Sequence, residues 1–252
     1  MNLFIIGVFF RYNMCLLSIF ISILLAIKLQ PTLITQEKQI MKIAIVGAAG
    51  WVGNEVLQEA KRRGHQLIAL VRDPDKVTET DIEVRKFDIT DANSSLAKAV
   101  SGAEVIVSSV SGRHDGDQTI FVKAAQRYLA ELSDTDADRL VWVGGAGSLK
   151  VAPGVELVSS VDFPEDYKAE ALGMGRALEV FQSSNSGLNW TFISPAALLF
   201  PGEKQAPYRV GKDQLLTDEQ GESKISVADY AVALMDVVES NLYPKQRIGV
   251  AY

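Results

Sequence analysis

Lys42-Ile43-Ala44-Ile45-Val46-Gly47-Ala48-Ala49-Gly50-Trp51-Val52-Gly53 sets the pattern that the rest of the chain follows. Its apolar opening reads as a strand covered on both faces. Three glycines follow at the spacing GxxGxxG, and a helix-compatible run starts at Asn54-Glu55-Val56-Leu57. A plain glycine-rich turn could share the spacing. Strand before and helix after favour a dinucleotide-binding turn instead. In that reading Gly47 permits the tight turn, Gly50 lets a pyrophosphate approach the backbone, and Gly53 lets the helix pack against the strand. The amides and positive dipole end of the helix then hold the phosphates, which adds Ala49, Trp51 and Val52 to the candidate contacts.

Composition removes several function classes. The chain has 252 residues and a net charge of -6, enough for one α/β domain and too acidic for a general nucleic-acid surface. Cys15 is the one cysteine, and His65 and His114 are the two histidines. A metal site, a disulfide framework and a Ser-His-Asp triad are therefore not expected. His65 reads as a solvated turn residue. Residues 1–40 are strongly apolar, and three readings stay open for them. They are a signal anchor, a removed leader, or upstream sequence before a true start at Met41, and the last is favoured. The expected organisation is an N-terminal extension over 1–40 and one domain over 41–252. Cytoplasmic placement is expected, with a membrane anchor as the alternative if 1–40 belong to the protein.

From Met41 onward, strand and helix alternate, which predicts a Rossmann-type, doubly wound, mostly parallel α/β sheet. A helix is expected over about 54–63, ended by Gly64, and a second strand over 65–71. Arg72 then stands where an arginine suits the 2′-phosphate of NADP(H) and an acidic residue suits the ribose of NAD(H). NADP(H) is favoured, and the nearby Asp73 keeps NAD(H) open. A third strand over 81–87 leads to Asp88 and Ile89, candidate adenine contacts; the alternative is that Asp88 or Asp91 caps the next helix, expected over 94–100. The fourth strand, 104–107, ends in Ser108, Ser109 and Val110, small enough for the cofactor's ribose and nicotinamide to pass. Residues 113–117 form a polar loop that either closes over a substrate or is simply solvated, the latter favoured. After the fifth strand (140–143) come Gly144 and Gly145, and after the sixth (190–194) comes Pro195; these complete the candidate cofactor contacts. Residues 150–168 read as one long loop over the nicotinamide end, followed by a helix over 169–183.

Many hydride-transfer enzymes of this architecture use a serine and a Tyr-x-x-x-Lys pair on one helix face. Tyr208 and Lys212 have the spacing but fall in a turn-rich segment, and Tyr167 and Lys168 are adjacent. Gly144, Gly145 and Ala146 stand where the serine would be, with Ser148 further on. No catalytic residue is assigned. A flavin or quinone needs none of this apparatus, because it accepts hydride directly and takes its proton from water.

Several segments together carry a specific likeness. They are Gly47–Gly53, Leu70-Val-Arg72-Asp-Pro74, Val143-Gly-Gly-Ala-Gly-Ser148, Asp162-Phe-Pro-Glu-Asp-Tyr-Lys168, Trp190-Thr-Phe-Ile-Ser-Pro-Ala-Ala197 and Ile225-Ser-Val-Ala-Asp-Tyr-Ala231. From Met41 to Tyr252 the chain resembles the NAD(P)H-binding, NmrA-like group of atypical short-chain dehydrogenases. Within that group it is most similar to bacterial NADH-flavin reductases, and more distantly to the biliverdin-IXβ/flavin reductases. The resemblance implies a Rossmann domain that binds NADPH or NADH and reduces a small-molecule acceptor such as FMN, another flavin or a quinone. The biliverdin-type enzymes use a serine after the fifth strand, which this chain lacks. A redox sensor that reads NADP(H) without turnover is the alternative function. A membrane-tethered scaffold is a third, resting on residues 1–40 alone. Oligomeric state is not legible.

Overall fold

The computed structural model describes residues 39–252 apart from 114 and 115. The expectations for residues 1–38 and for His114 lie outside these described residues. β1 (Lys42–Val46) is buried on both faces: Ile43 and Ile45 enter one apolar layer, Ala44 and Val46 the other. α1 (Trp51–Arg62) returns the chain to β2 (Gln66–Val71), which pairs parallel with β1. β3 (Glu83–Lys86) adds outside β2, and the chain then crosses back through α2 (Leu96–Ala99), capped by Ser95, to β4 (Val105–Ser108) on the other side of β1. The direction of winding therefore reverses between β1 and β4, which opens a crevice at their carboxyl ends.

The second half extends the sheet outward. α3 (Ile120–Glu131), β5 (Arg139–Val143), α4 (Glu165–Ser183) and β8 (Asn189–Ser194) continue the parallel alternation, with the short strands β6 (Lys150–Ala152) and β7 (Val155–Glu156) between β5 and α4. β9 (Leu198–Phe200) pairs with β11 (Lys224–Ser226) in a separate two-stranded sheet. α5 (Val227–Ser240) leads into β12 (Gln246–Ala251), and antiparallel β10 (Arg209–Gly211) closes that edge. The eight-stranded order is β10-β12-β8-β5-β4-β1-β2-β3, mostly parallel as expected. α1 and α5 cover one face. α3 and α4 cover the other, where Trp142 meets Tyr128 and Phe181 edge-on at 5.9 and 5.2 Å. Among the described residues, no helix is long and apolar enough to cross a membrane.

Three expectations need correction. Residues 150–168 are not one loop. β6 (Lys150–Ala152) and β7 (Val155–Glu156) form a small hairpin, a 3-10 turn follows at Leu157–Ser159, and α4 already begins at Glu165. Pro164 sits at the N-cap and Glu165 and Asp166 supply negative charge to the first turn, so the helix gains its start there. His65 is not solvated: its side chain is 0% exposed. Its ring lies between the Met41 amide, which donates to Nδ1 at 3.3 Å, and Glu239, 2.9 Å from Nε2. α1, finally, starts three residues before Asn54, at Trp51.

Candidate cofactor site

A cavity of about 540 Å³ opens at the carboxyl ends of β1 to β4, at the winding reversal. Its glycine turn is built from close approaches. Gly47 has φ +79°, and a Cβ there would stand 2.3 Å from the Ser109 carbonyl oxygen. A Cβ on Gly53 would stand 2.1 Å from the Gly47 carbonyl oxygen. Both positions are therefore closed to any side chain by the protein itself. Gly50 differs: a Cβ there would meet only the Gly47 oxygen, at 3.2 Å, and would otherwise point into open space. Packing within the protein thus leaves position 50 nearly open to a side chain.

Gly50 is the N-cap of α1 and offers no side-chain cap, and the first turn holds no acidic residue. The first helical bond is Asn54 N–H to the Gly50 carbonyl, at 2.8 Å. The amides of Trp51, Val52 and Gly53 precede it, at the positive end of a twelve-residue helix. A protein that needed this helix end for stability alone would gain from Ser, Asp or Asn at position 50. The arrangement suits an anion instead, and a pyrophosphate fits both its charge and the space left by Gly50.

At the β2 end, Arg72, Asp73 and Lys76 line the cavity. The Asp73 carboxylate accepts from the Asp75 amide at 3.2 Å and so caps the 3-10 turn Pro74–Lys76. Asp88 likewise accepts from the Thr90 amide at 2.9 Å and the Thr90 hydroxyl at 2.7 Å. Asp88 and Asp91 form local turns rather than capping α2, which Ser95 does. With both cavity carboxylates engaged locally, Arg72 and Lys76 give this end of the cavity a cationic lining in a chain of net charge -6, while Arg113, also in the lining, is paired with Glu170. Lys76 was missing from the sequence-based candidates. Its signal was a second cation four residues after Arg72, brought back to the cavity by the Pro74 turn.

Of the residues expected at the site, Gly47, Ala49, Gly50, Trp51, Arg72, Asp88, Ile89, Ser109 and Val110 line this one cavity. The remaining candidates lie outside its lining. Val52 and Gly53 are on α1, and Ser108 is fully buried in β4, its hydroxyl without a hydrogen-bond partner among the described residues. Gly144 serves packing, since a Cβ there would stand 2.2 Å from the Phe192 ring. Gly145 faces Met174, and Pro195 is buried just after β8. Tyr208 and Lys212 flank the edge strand β10, with the Tyr208 hydroxyl on Asp236 at 2.5 Å, so their spacing creates no shared helix face. Among the described residues, no group of three or more His, Cys, Asp or Glu could hold a metal ion.

A family model described as NAD(P)H-binding matches residues 47–238. YwnB of Bacillus subtilis is 37% identical over 213 residues, which is 83% of this chain and 98% of YwnB. A solved Burkholderia pseudomallei structure, provisionally named an exported protein, is 38% identical with a TM-score of 0.76, over 84% of this chain and 100% of that one. A Streptococcus pneumoniae structure, provisionally named an NADH-flavin reductase, is 31% identical with a TM-score of 0.76, over 84% of this chain and 99% of that one.

Proposed function

The chain belongs to the NAD(P)H-binding family, and from that premise we propose that it is a reductase that uses NADPH to reduce a planar acceptor such as a flavin or quinone. One observation carries the reading. The uncapped start of α1 and the two cations Arg72 and Lys76 share a single cavity at the winding reversal. The α1 amides hold the pyrophosphate, and Arg72 with Lys76 hold the 2′-phosphate that distinguishes NADPH from NADH.

When bound, the nicotinamide supplies a hydride, two electrons and one proton's worth of hydrogen, to the acceptor ring; the ring takes a further proton from water. The chain's own part is to hold two rings face to face and to exclude water from between them. Ser109 and Val110 form a small-residue wall for the ribose and nicotinamide. Tyr208 and Lys212 are the sole Tyr-x-x-x-Lys spacing among the described residues, and they flank the edge strand β10 rather than sharing a helix face. That supports an acceptor needing no positioned proton donor, and the Streptococcus pneumoniae relative's name points the same way.

The test is a titration of the protein with NADPH and NADH, followed by NADPH oxidation assays with FMN and quinones. Trp51 is 46% exposed on the cavity rim, whereas Trp142 and Trp190 are buried, so tryptophan fluorescence reports this site. NADPH should bind at least about tenfold tighter than NADH, the worth of a charge-assisted contact, and Arg72→Ala should remove most of that advantage. NADPH binding with no turnover on any acceptor would replace the reductase reading with a redox sensor.

A further inference from the structure

Arg113 lines the cavity from the segment that follows β4, and it reaches across to α4. Its Nε donates to the Glu170 carboxylate, and its guanidinium carbon lies 5.1 Å from the centroid of the Tyr167 ring. Tyr167 and Glu170 are three residues apart on α4 and so share a face. One arginine thus ties the β4 wall of the crevice to the helix that precedes β8. This is the opposite end of the cavity from Arg72 and Lys76, which stand after β2. If the adenosine half lies over β2 and β3, Arg113 lies at the acceptor end.

We propose that Arg113 selects acceptors that carry an anionic group beside their planar ring, exchanging Glu170 for that group. The inference rests on the reductase reading. Its chemistry follows from the guanidinium fork. Glu170 occupies Nε, and neither terminal amino group has an acceptor among the described residues. A phosphate or carboxylate takes two parallel N–H donors from such a fork. The Arg113 side chain is 59% exposed, and an ion pair at such exposure gives up its partner at little cost. The Tyr167 ring, 5.1 Å from the guanidinium carbon, attracts the cation whichever anion it holds, and so favours a change of partner at the same place. Glu170 competes with such an anion while it holds the arginine, so the anionic group adds affinity to what the ring alone provides.

FMN and riboflavin share one ring system and differ by a phosphate, so they isolate the effect. Equilibrium binding of each to the full chain saturated with NADP+, followed by flavin fluorescence, needs no turnover. FMN should bind at least about tenfold tighter than riboflavin. Arg113→Met should cut that preference to about twofold while leaving riboflavin and NADP+ affinities within about twofold of wild type. Glu170→Gln should tighten FMN and leave riboflavin unchanged. Equal binding of the two flavins by wild type, or no binding of FMN, would overturn the proposal. So would an Arg113→Met variant whose NADP+ affinity falls as far as its FMN affinity, since Arg113 would then serve the cofactor. Failure of the reductase reading looks different: selective FMN binding that survives, with no NADPH oxidation by either flavin.

Discussion

Gly47, Gly50 and Gly53 share a spacing but answer to different constraints. At 47 and 53 a side chain would strike the carbonyl oxygens of Ser109 and Gly47, so those glycines hold the fold. At 50 the neighbouring protein leaves a Cβ nearly enough room. Gly50→Val should therefore cost about 1 kcal/mol, the worth of a poor N-cap, and leave a cooperative melt. NADPH affinity should fall at least about a hundredfold, because the side chain would occupy the pyrophosphate's approach. Unchanged affinity in a folded variant would refute the role of Gly50. Residue-scale legibility in the sequence tracked local geometry. The glycines and Arg72 were readable because their place is fixed by the strand just before them. Lys76 was not, because it reaches the cavity only through the turn that Asp73 and Pro74 build. His65 was misread because its partner Glu239 stands 174 positions away.

α1 is held at its far end by charge. Glu59, 5% exposed, accepts from Arg62 at 2.6 Å, Arg63 at 2.8 Å and Lys204 at 2.8 Å. Arg63 also pairs with Asp236 and Glu239 of α5, each at 2.7 Å. Burial pushes the Glu59 carboxyl up, but the hydrogen bonds from Arg62, Lys204 and Arg63 outweigh it and bring the pKa down to about 2 from 4.5. A carboxyl depressed in the folded state stabilises above its unfolded pKa and loses that contribution as pH falls through the folded one. Glu59→Gln should therefore cost on the order of 3 kcal/mol at neutral pH, as for a broken buried ion pair. The gap from wild type should close between about pH 4.5 and 2 in denaturant melts across pH. A gap independent of pH would show that Glu59 acts through packing alone. Other element boundaries were harder to read for related reasons. The early start of α1 gave no capping signal, because Gly50 leaves that end open. The hairpin of β6 and β7 has strands of three and two residues, too short for an alternating pattern.

At the scale of the molecule, the doubly wound order was legible because strand and helix alternate along the whole domain, and each buried strand carries apolar residues for both layers. The cluster of Arg113, Tyr167 and Glu170 was less legible, since it joins residues from the segment after β4 and from α4, brought together only by the fold. The same geometry couples ligand binding to folding. The cavity wall comes from the ends of four strands, and β3 and β4 meet it only when the sheet is assembled. An unfolded chain therefore offers NADPH no site, and NADPH at a hundred times its Kd should add about 2.7 kcal/mol to stability. For a domain of this size that corresponds to a Tm rise of roughly 5–10 °C by scanning calorimetry. NADH at the same concentration should give a smaller rise, because fewer of the cavity's cations find a partner on it. Gly50→Val should cut the rise to no more than about 1–2 °C with either nucleotide, which separates site binding from a general effect of added anions. Equal rises with NADPH and NADH in the wild type would remove the 2′-phosphate from the role given to Arg72 and Lys76, while leaving the pyrophosphate site at α1 intact.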